Sequence, residues 1–296
     1  MRRRGLVYPI YQLVVRVLQL LYYDNIETYS AEVLGILLES EIQNNLLISL
    51  ITENKASYAT DWLLATVIDD SGEIILTSFW SKPFNILLYE TKNTRNDDAV
   101  ELLAREFRKA GYSLPGVMAE RGLAQRFAKA YTPPKMSESH MSVVAMRLDR
   151  LAQYEKAPGF CRELSKSDMF FTPYWEHAFS EDCRVHVFTI SEDTKRIESR
   201  LGRGIHFIWE DGVPVSQAVH GRNTPNGAII NWVYTPPHYR GRGYATSVVA
   251  ELSESLLKRG KDFCCLLADA DNPASRRLYS KLGYYDVCEL EDIKFL

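Results

Sequence analysis

Residues 236–247 read PPHYRGRGYATS and follow directly on the apolar run AIINWVYT, residues 228–235. Beyond them, Ala245, Val248, Val249, Leu252 and Leu256 recur at helical spacing. Lys258 and Arg259 suit the negative end of that helix, and Gly260 suits its cap. The order is therefore strand, tight basic turn, helix. The first N–H groups of a helix have no intrahelical partner, and the helix dipole adds positive potential there. Gly241 and Gly243 lack a Cβ, so a ligand can approach the backbone and the chain can take φ > 0. Arg240 and Arg242 add charge. The turn fits a pyrophosphate cradle. It fits equally a capped helix carrying solvated arginines, and alone it does not decide between them. It is neither a P-loop nor the dinucleotide fingerprint, because G-x-x-x-x-G-K-S/T and G-x-G-x-x-G are both absent from it.

The downstream segment decides. FCCLLA, residues 263–268, is a continuous apolar run of the kind covered on both faces. DNPASRRLYSKLGY starts a helix with Asn272 as N-cap and Pro273 in its first turn, and Gly283 ends it. Here the sequence resembles the GNAT superfamily of N-acetyltransferases. Arg240, Gly243 and Ala245 fill that family's acetyl-CoA loop, Gln/Arg-x-x-Gly-x-Gly/Ala. Asn272, Ser275, Tyr279, Lys281, Gly283 and Tyr284 fill its second element, about thirty residues on. Good coverage runs from about residue 165 to 296.

The resemblance implies a role for each matched position. Strands INWVYT and FCCLLAD splay, and the pantetheine arm lies in the gap. Backbone groups near Val233 and Tyr234 pair with its amides as if extending the sheet. N–H groups of Gly241, Arg242, Gly243, Tyr244, Ala245 and Thr246 hold the pyrophosphate, with Arg240 beside them. Asn272 touches the arm or only caps its helix. Tyr279 is the general acid that protonates the leaving thiolate; a phenol of pKa about 10 stays protonated at neutral pH. Some family members place a glutamate on the strand before the loop, but GAIINWVYT has no carboxylate. The base is then Glu210, His220 or a water chain. Trp232 and Tyr234 line the acceptor pocket or the core.

The rest of the chain reads as α/β throughout. HVFTISEDTKRIESRLGRG predicts a helix, IHFIWEDGVPVSQAVHG a hairpin turned at Asp211-Gly212, and YYDVCELEDIKF the last strands. EKAPGF, residues 155–160, predicts a linker. This gives a GNAT domain over 155–296, a mixed sheet flanked by helices. Residues 24–154 repeat a similar order: a helical run AEVLGILLESEIQNNLLISLI, three strand-like runs, the helix DDAVELLAREFRKAGY, LPGVM, a second helix RGLAQRFAKAY and the strand SVVAMRL. No acetyl-CoA loop precedes DDAVELL, and its two acidic residues would repel phosphate. Residues 24–154 are either a degenerate tandem GNAT-like copy or an unrelated α/β domain. Residues 1–23 predict a helical extension, with Leu13, Val17, Leu20 and Leu21 on one face.

Composition narrows the partners. Thirty-five basic against 38 acidic residues leave a net charge of -3, which calls for neither nucleic acid nor an anionic membrane. Five cysteines without metal-like spacing read as reduced thiols of a cytoplasmic protein with no metal. Adjacent Cys264 and Cys265 point to opposite faces. The expected activity is acetyl transfer from acetyl-CoA to a primary amine, on a small molecule or peptide, by direct attack in a ternary complex. A homodimer is possible. The alternatives are an acyl-CoA-binding regulatory module without catalysis, and transfer of another acyl or aminoacyl group.

Overall fold

The two strand segments that close the two halves of the sequence organise the molecule. The computed structural model describes residues 17–53, 62–91 and 95–296. The first half runs β1 (Gln19–Tyr23), α1 (Ile26–Leu38), α2 (Asn45–Glu53), β2 (Trp62–Ile68), β3 (Ile74–Ser81), β4 (Ile86–Glu90), α3 (Asp97–Lys109), β5 (Gly116–Glu120), α4 (Arg121–Tyr131) and β6 (Ser137–Leu148). The second runs β7 (Phe160–Glu163), α5 (Thr172–Asp182), α6 (Ile190–Glu198), β8 (His206–Asp211), β9 (Val213–Asn223), β10 (Gly227–Tyr234), α7 (Tyr244–Lys258), β11 (Phe263–Asp269), α8 (Pro273–Leu282) and β12 (Tyr285–Phe295).

β6 and β12 lie antiparallel at the centre, from Tyr285 opposite Arg147 to Phe295 opposite Ser137. The outer edge of β6 pairs with β11, and that of β12 with β5. Each half thus gives its last strand to the other. The strands form one sheet, β1-β2-β3-β4-β5-β12-β6-β11-β10-β9-β8-β7. Read outward from the centre, both sides have the same order, so the halves are copies of one topology joined through a shared sheet. Residues 155–160 are packed rather than loose: the Ala157 N–H donates to Ser247 Oγ at 2.8 Å, and Trp209 Nε1 donates to Pro158 O at 2.8 Å.

Helices cover both faces. In the first half α3 and α4 bury Leu103, Phe107, Leu123 and Phe127 on one face, while α1 and α2 bury Tyr29, Val33 and Ile48 on the other. In the second half α7 and α8 bury Val248, Leu252, Tyr279 and Leu282 against β8 to β11. α6 covers the opposite face through Ile197 against Ile208. Cys264 and Cys265 are buried on opposite faces.

Three expectations need correction. The helix expected up to residue 23 gives way at Gln19–Tyr23 to strand β1, paired antiparallel with β2. The period is two rather than 3.6: Leu18 and Leu20 pack on the first-half core, and Tyr22 stacks on Phe107 with ring centroids 6.2 Å apart. Leu13 lies outside the described residues. The helical run from residue 31 to 51 is broken into α1 and α2, because side chains of the intervening turn satisfy its backbone: Asn44 Nδ2 donates to Leu37 O and Asn45 Nδ2 to Ile42 O. The helix read across residues 186–204 shrinks to α6, started by a capping box of Thr189 and Glu192.

Candidate active site

β10 and β11 are parallel and in register only from Gly227–Phe263 to Ile229–Cys265. β11 stays straight on β6 as far as Asp269 opposite Val143. β10 does not: its register on β9 shifts between Ile229 and Ile230, and again between Asn231 and Tyr234. A gap therefore opens between residues 230–234 and 266–269. Across the second shift two buried side chains of β9 replace ladder bonds. Gln217 Nε2 donates to Trp232 O at 3.4 Å, and Ser216 Oγ to Tyr234 O at 3.1 Å. The backbone of Val233 is left at the edge of the gap.

α7 begins at the mouth of this gap. Gly243 is its N-cap with φ 81°, and no side chain caps the helix there. The helix ladder opens with Ser247 N–H donating to Gly243 O at 3.0 Å, so the N–H groups of Tyr244, Ala245 and Thr246 precede it. Gly241, φ 78°, has open space where a Cβ would stand. The turn is fixed by its surroundings. Arg240 donates through Nε to Thr235 O at 2.9 Å and pairs with Asp182 of α5 at 2.6 Å. The Tyr244 hydroxyl donates to Asp211 Oδ2 at 2.6 Å, so this residue offers a ligand its backbone only. Arg242 is exposed.

Tyr279 lies one helix away. It is buried in the α7–α8 core, with its ring edge-on to Tyr284 at 5.8 Å. Burial pushes its phenol up to about 12, offset in part by the Ser275 hydroxyl one turn back, with the Cys183 thiol nearby. It therefore stays protonated across the neutral range. Asn272 caps α8 by accepting from Ser275 N–H at 3.1 Å.

The two base candidates stand elsewhere. Arg162 Nε donates to Glu210 Oε2 at 2.5 Å, and the same guanidinium grips Asp168 at 2.7 and 2.8 Å. Glu210 sits on β8, two strands and roughly 10 Å from β10. His220 pairs with Ile230, where the gap is only beginning, and its Nε2 meets Asn223 Oδ1 at 3.0 Å. Burial, with Lys261 and Arg259 near it, pulls its pKa down. Those two cations mark the C-terminal end of α7, a helix about 22 Å long, so His220 is at the wrong end for Tyr279. Neither side chain is brought to the gap.

Sequence reasoning missed α5, whose Asp182 holds the loop arginine, and the β9 side chains Ser216 and Gln217 that hold the bent strand. These are long-range pairings, and no local pattern announces them. Among the described residues no group of His, Cys, Asp and Glu could hold a metal, and no helix is long and apolar enough to cross a membrane.

Comparison with known proteins agrees with this geometry. The family model described as FR47-like protein matches residues 211–291, from the β8–β9 turn into β12. No curated protein matches the chain. Among solved structures, the chain is similar to a GCN5-related N-acetyltransferase from Sphaerobacter thermophilus, with TM-score 0.66, 15% identity and 94% and 95% of the two chains covered. It is similar to a GNAT-family acetyltransferase from Colwellia psychrerythraea, with TM-score 0.61, 10% identity and coverage of 94% and 100%. It is also similar to a tandem GNAT protein from the clavulanic acid biosynthesis pathway, with TM-score 0.55, 13% identity and coverage of 94% and 97%. The second half thus carries an FR47-like segment, and the chain as a whole has the fold of the GNAT acetyltransferases.

Proposed function

We propose that the protein is an acetyl-CoA-dependent N-acetyltransferase whose donor site lies wholly in its second half. The observation that carries this reading is the uncapped start of α7 facing the gap between β10 and β11. An anion there meets oriented N–H groups and the positive helix end without displacing a protein side chain. The N–H groups from Gly241 to Thr246 take the pyrophosphate, with the exposed Arg242 beside it. The backbone at Val233, at the edge of the gap, and that of Tyr234 beside it take the amides of the pantetheine arm. Asn272, at the start of α8, stands where the arm passes.

The acceptor is a primary amine on a small molecule or peptide, and it reacts neutral in a ternary complex. Its nitrogen bonds to the thioester carbon, the C–S bond breaks, and the leaving thiolate takes the phenolic proton of Tyr279. The amine releases its proton to water, because no carboxylate lies on β10 and neither Glu210 nor His220 reaches the gap. Tyr279 regains its proton from solvent. All five cysteines are free, which suits a reducing, cytoplasmic setting.

The missing carboxylate favours one second reading, a module that binds acyl-CoA without transfer. Calorimetric titration with coenzyme A, followed by assay of free thiol released from acetyl-CoA with a panel of primary amines, separates the two. Binding with release supports the enzyme, and binding without release under every amine supports the sensor. No binding removes both.

A further inference from the structure

The bend in β10 is held open by force. Trp232 has φ 53°, in the left-handed region, where a bulky side chain is a rare outlier. Such a conformation persists only where the surroundings over-determine it. The surroundings here act on both ends of the residue. On its ring, Phe179 of α5 packs with centroids 4.9 Å apart. The Arg196 guanidinium of α6 lies 4.6 Å from the same ring and 4.4 Å from the ring of Phe188, so it is wedged between two aromatic faces. Arg200 adds a second cation at 5.8 Å. Both arginines are anchored by carboxylates with no exposed side-chain surface: Arg196 on Asp193 at 3.2 Å, and Arg200 on Glu176. On its backbone, Trp232 O is held by Gln217, which is held in turn by buried His206 at 3.3 Å.

We propose that Arg196 is a positioning residue. Wedged between Phe188 and Trp232, it locks Trp232 in the left-handed conformation and thereby sets how Val233 and Tyr234 present their backbone to the donor arm. The inference rests on the donor site assigned above. Released from the wedge, residue 232 relaxes toward φ < 0 and the following peptide planes rotate away from the gap. The α5–α6 hairpin, which touches neither α7 nor α8 through Arg196, then controls donor binding through one side chain.

The test is calorimetric titration of the full chain with coenzyme A. Arg196→Gln is expected to weaken binding about tenfold, within the range a partly desolvated cation–π contact supplies. Phe188→Leu, which removes the other face of the wedge, weakens it in the same direction and serves if Arg196→Gln does not fold. Ile197→Val, a core trimming on the same helix, is expected to lower stability while leaving the affinity within about twofold. The decisive arm uses a Trp232→Gly background. Glycine takes positive φ without strain, so adding Arg196→Gln there changes affinity by less than about twofold. Hydrogen exchange of amides 230–235 in the free protein supplies a readout independent of ligand, and it accelerates in Arg196→Gln. Unchanged coenzyme A affinity in Arg196→Gln overturns the proposal, as does an equal loss in both backgrounds. If the wild-type chain binds no coenzyme A, the donor-site reading fails, and the exchange rates alone decide whether the wedge exists.

Discussion

The two halves share a topology, and they differ at the places where chemistry would happen. α7 starts on Gly243, with no capping side chain. α3, its counterpart, starts on Asn96, whose Oδ1 accepts from Ala99 N–H at 3.0 Å. Asp97 and Asp98 fill its first turn. Glu90, at the end of β4, accepts from Asn96 N–H at 2.8 Å and is clamped by Arg126, which also reaches Asp97 at 2.9 Å. The positive helix end that remains available in the second half is thus saturated by the protein's own carboxylates in the first. The gap differs too. Between the diverging β4 and β5 ends the first half keeps a cavity of about 30 Å³, walled by residues 43–47, room for a water but not for a pantetheine arm. One fold can therefore keep its core and its sheet while the start of this helix is left open in one half and closed in the other.

The sharpest contrast is one oxygen atom. Counting seven residues on from the N-caps Asn272 and Glu120 reaches Tyr279 in α8 and Phe127 in α4. The first half already carries the substitution that tests the proposed acid of the second. Tyr279→Phe should lower turnover by about 10²- to 10⁴-fold, the usual share of a positioned proton donor. Coenzyme A affinity should stay near wild type, as titration alongside steady-state kinetics will show. Undiminished turnover removes Tyr279 as the acid.

Exchanging the caps probes the anion cradle itself. Gly243→Val puts a β-branched residue at φ 81°, and its Cβ would stand 3.6 Å from Ala157 Cβ, an ordinary contact. The damage is to the backbone rather than to space. Losing one or two charge-assisted N–H contacts predicts about a 100-fold weaker coenzyme A complex. Asn96→Gly, the reverse change in the first half, should cost a few tenths of a kcal/mol in stability and leave binding untouched, because Glu90 and Arg126 still fill the site. A second coenzyme A equivalent bound by Asn96→Gly would show that the first half is closed by its cap alone.

These contrasts mark what was legible in the sequence. The strand–RGRG–helix order and the Asn272-to-Tyr284 run are local, and their physics acts over a few residues. Glycine at an αL cap, proline in a first turn and an apolar stripe can all be read from neighbours. The acidic start of α3 was legible for the same reason. Strand exchange was not, because a strand such as SVVAMRL carries no mark of which edge it will join. Nor was the fate of Glu210 and His220 as base candidates. Their residue types suit proton transfer, but only the third dimension shows Arg162 on one and the far end of α7 beside the other. The strand at Gln19–Tyr23 was missed because five residues satisfy a helical stripe almost as well as an alternation.

The halves also differ in how acid should reach them. Five of the six histidines lie in the second half; the sixth, His140, is on β6, the strand the first half gives to the second. His206 is 1% exposed, and burial, with Arg200 near it, pulls its pKa down to about 3. Its neutral form therefore favours the fold above the unfolded value near 6.5, and that contribution is lost as pH falls from there through about 3. At pH 5 the loss is about 2 kcal/mol relative to pH 7. Urea titrations at the two pH values should show it, and His206→Gln should remove this share of the pH dependence. Hydrogen exchange at pH 5 should loosen β8 and β9 before β2 and β3. Simultaneous loosening would mean that the shared sheet couples the halves more tightly than their separate cores suggest.

The smallest effect concerns how each half uses its arginine. Arg126 is largely buried with Glu90, at 18% and 14% side-chain exposure, whereas Arg240 and Asp182 are 50% and 52% exposed. A pair this exposed contributes at most about 1 kcal/mol. Asp182→Asn leaves Arg240 its bond to Thr235 O and removes a negative charge beside the start of α7. Coenzyme A should then bind slightly tighter, by less than about threefold, and the gain should fade as salt screens it. If Asp182→Asn instead weakens binding severalfold at every salt concentration, the pair is what shapes the loop. The open cap of the second half would then depend on a tether, much as the closed cap of the first depends on Arg126.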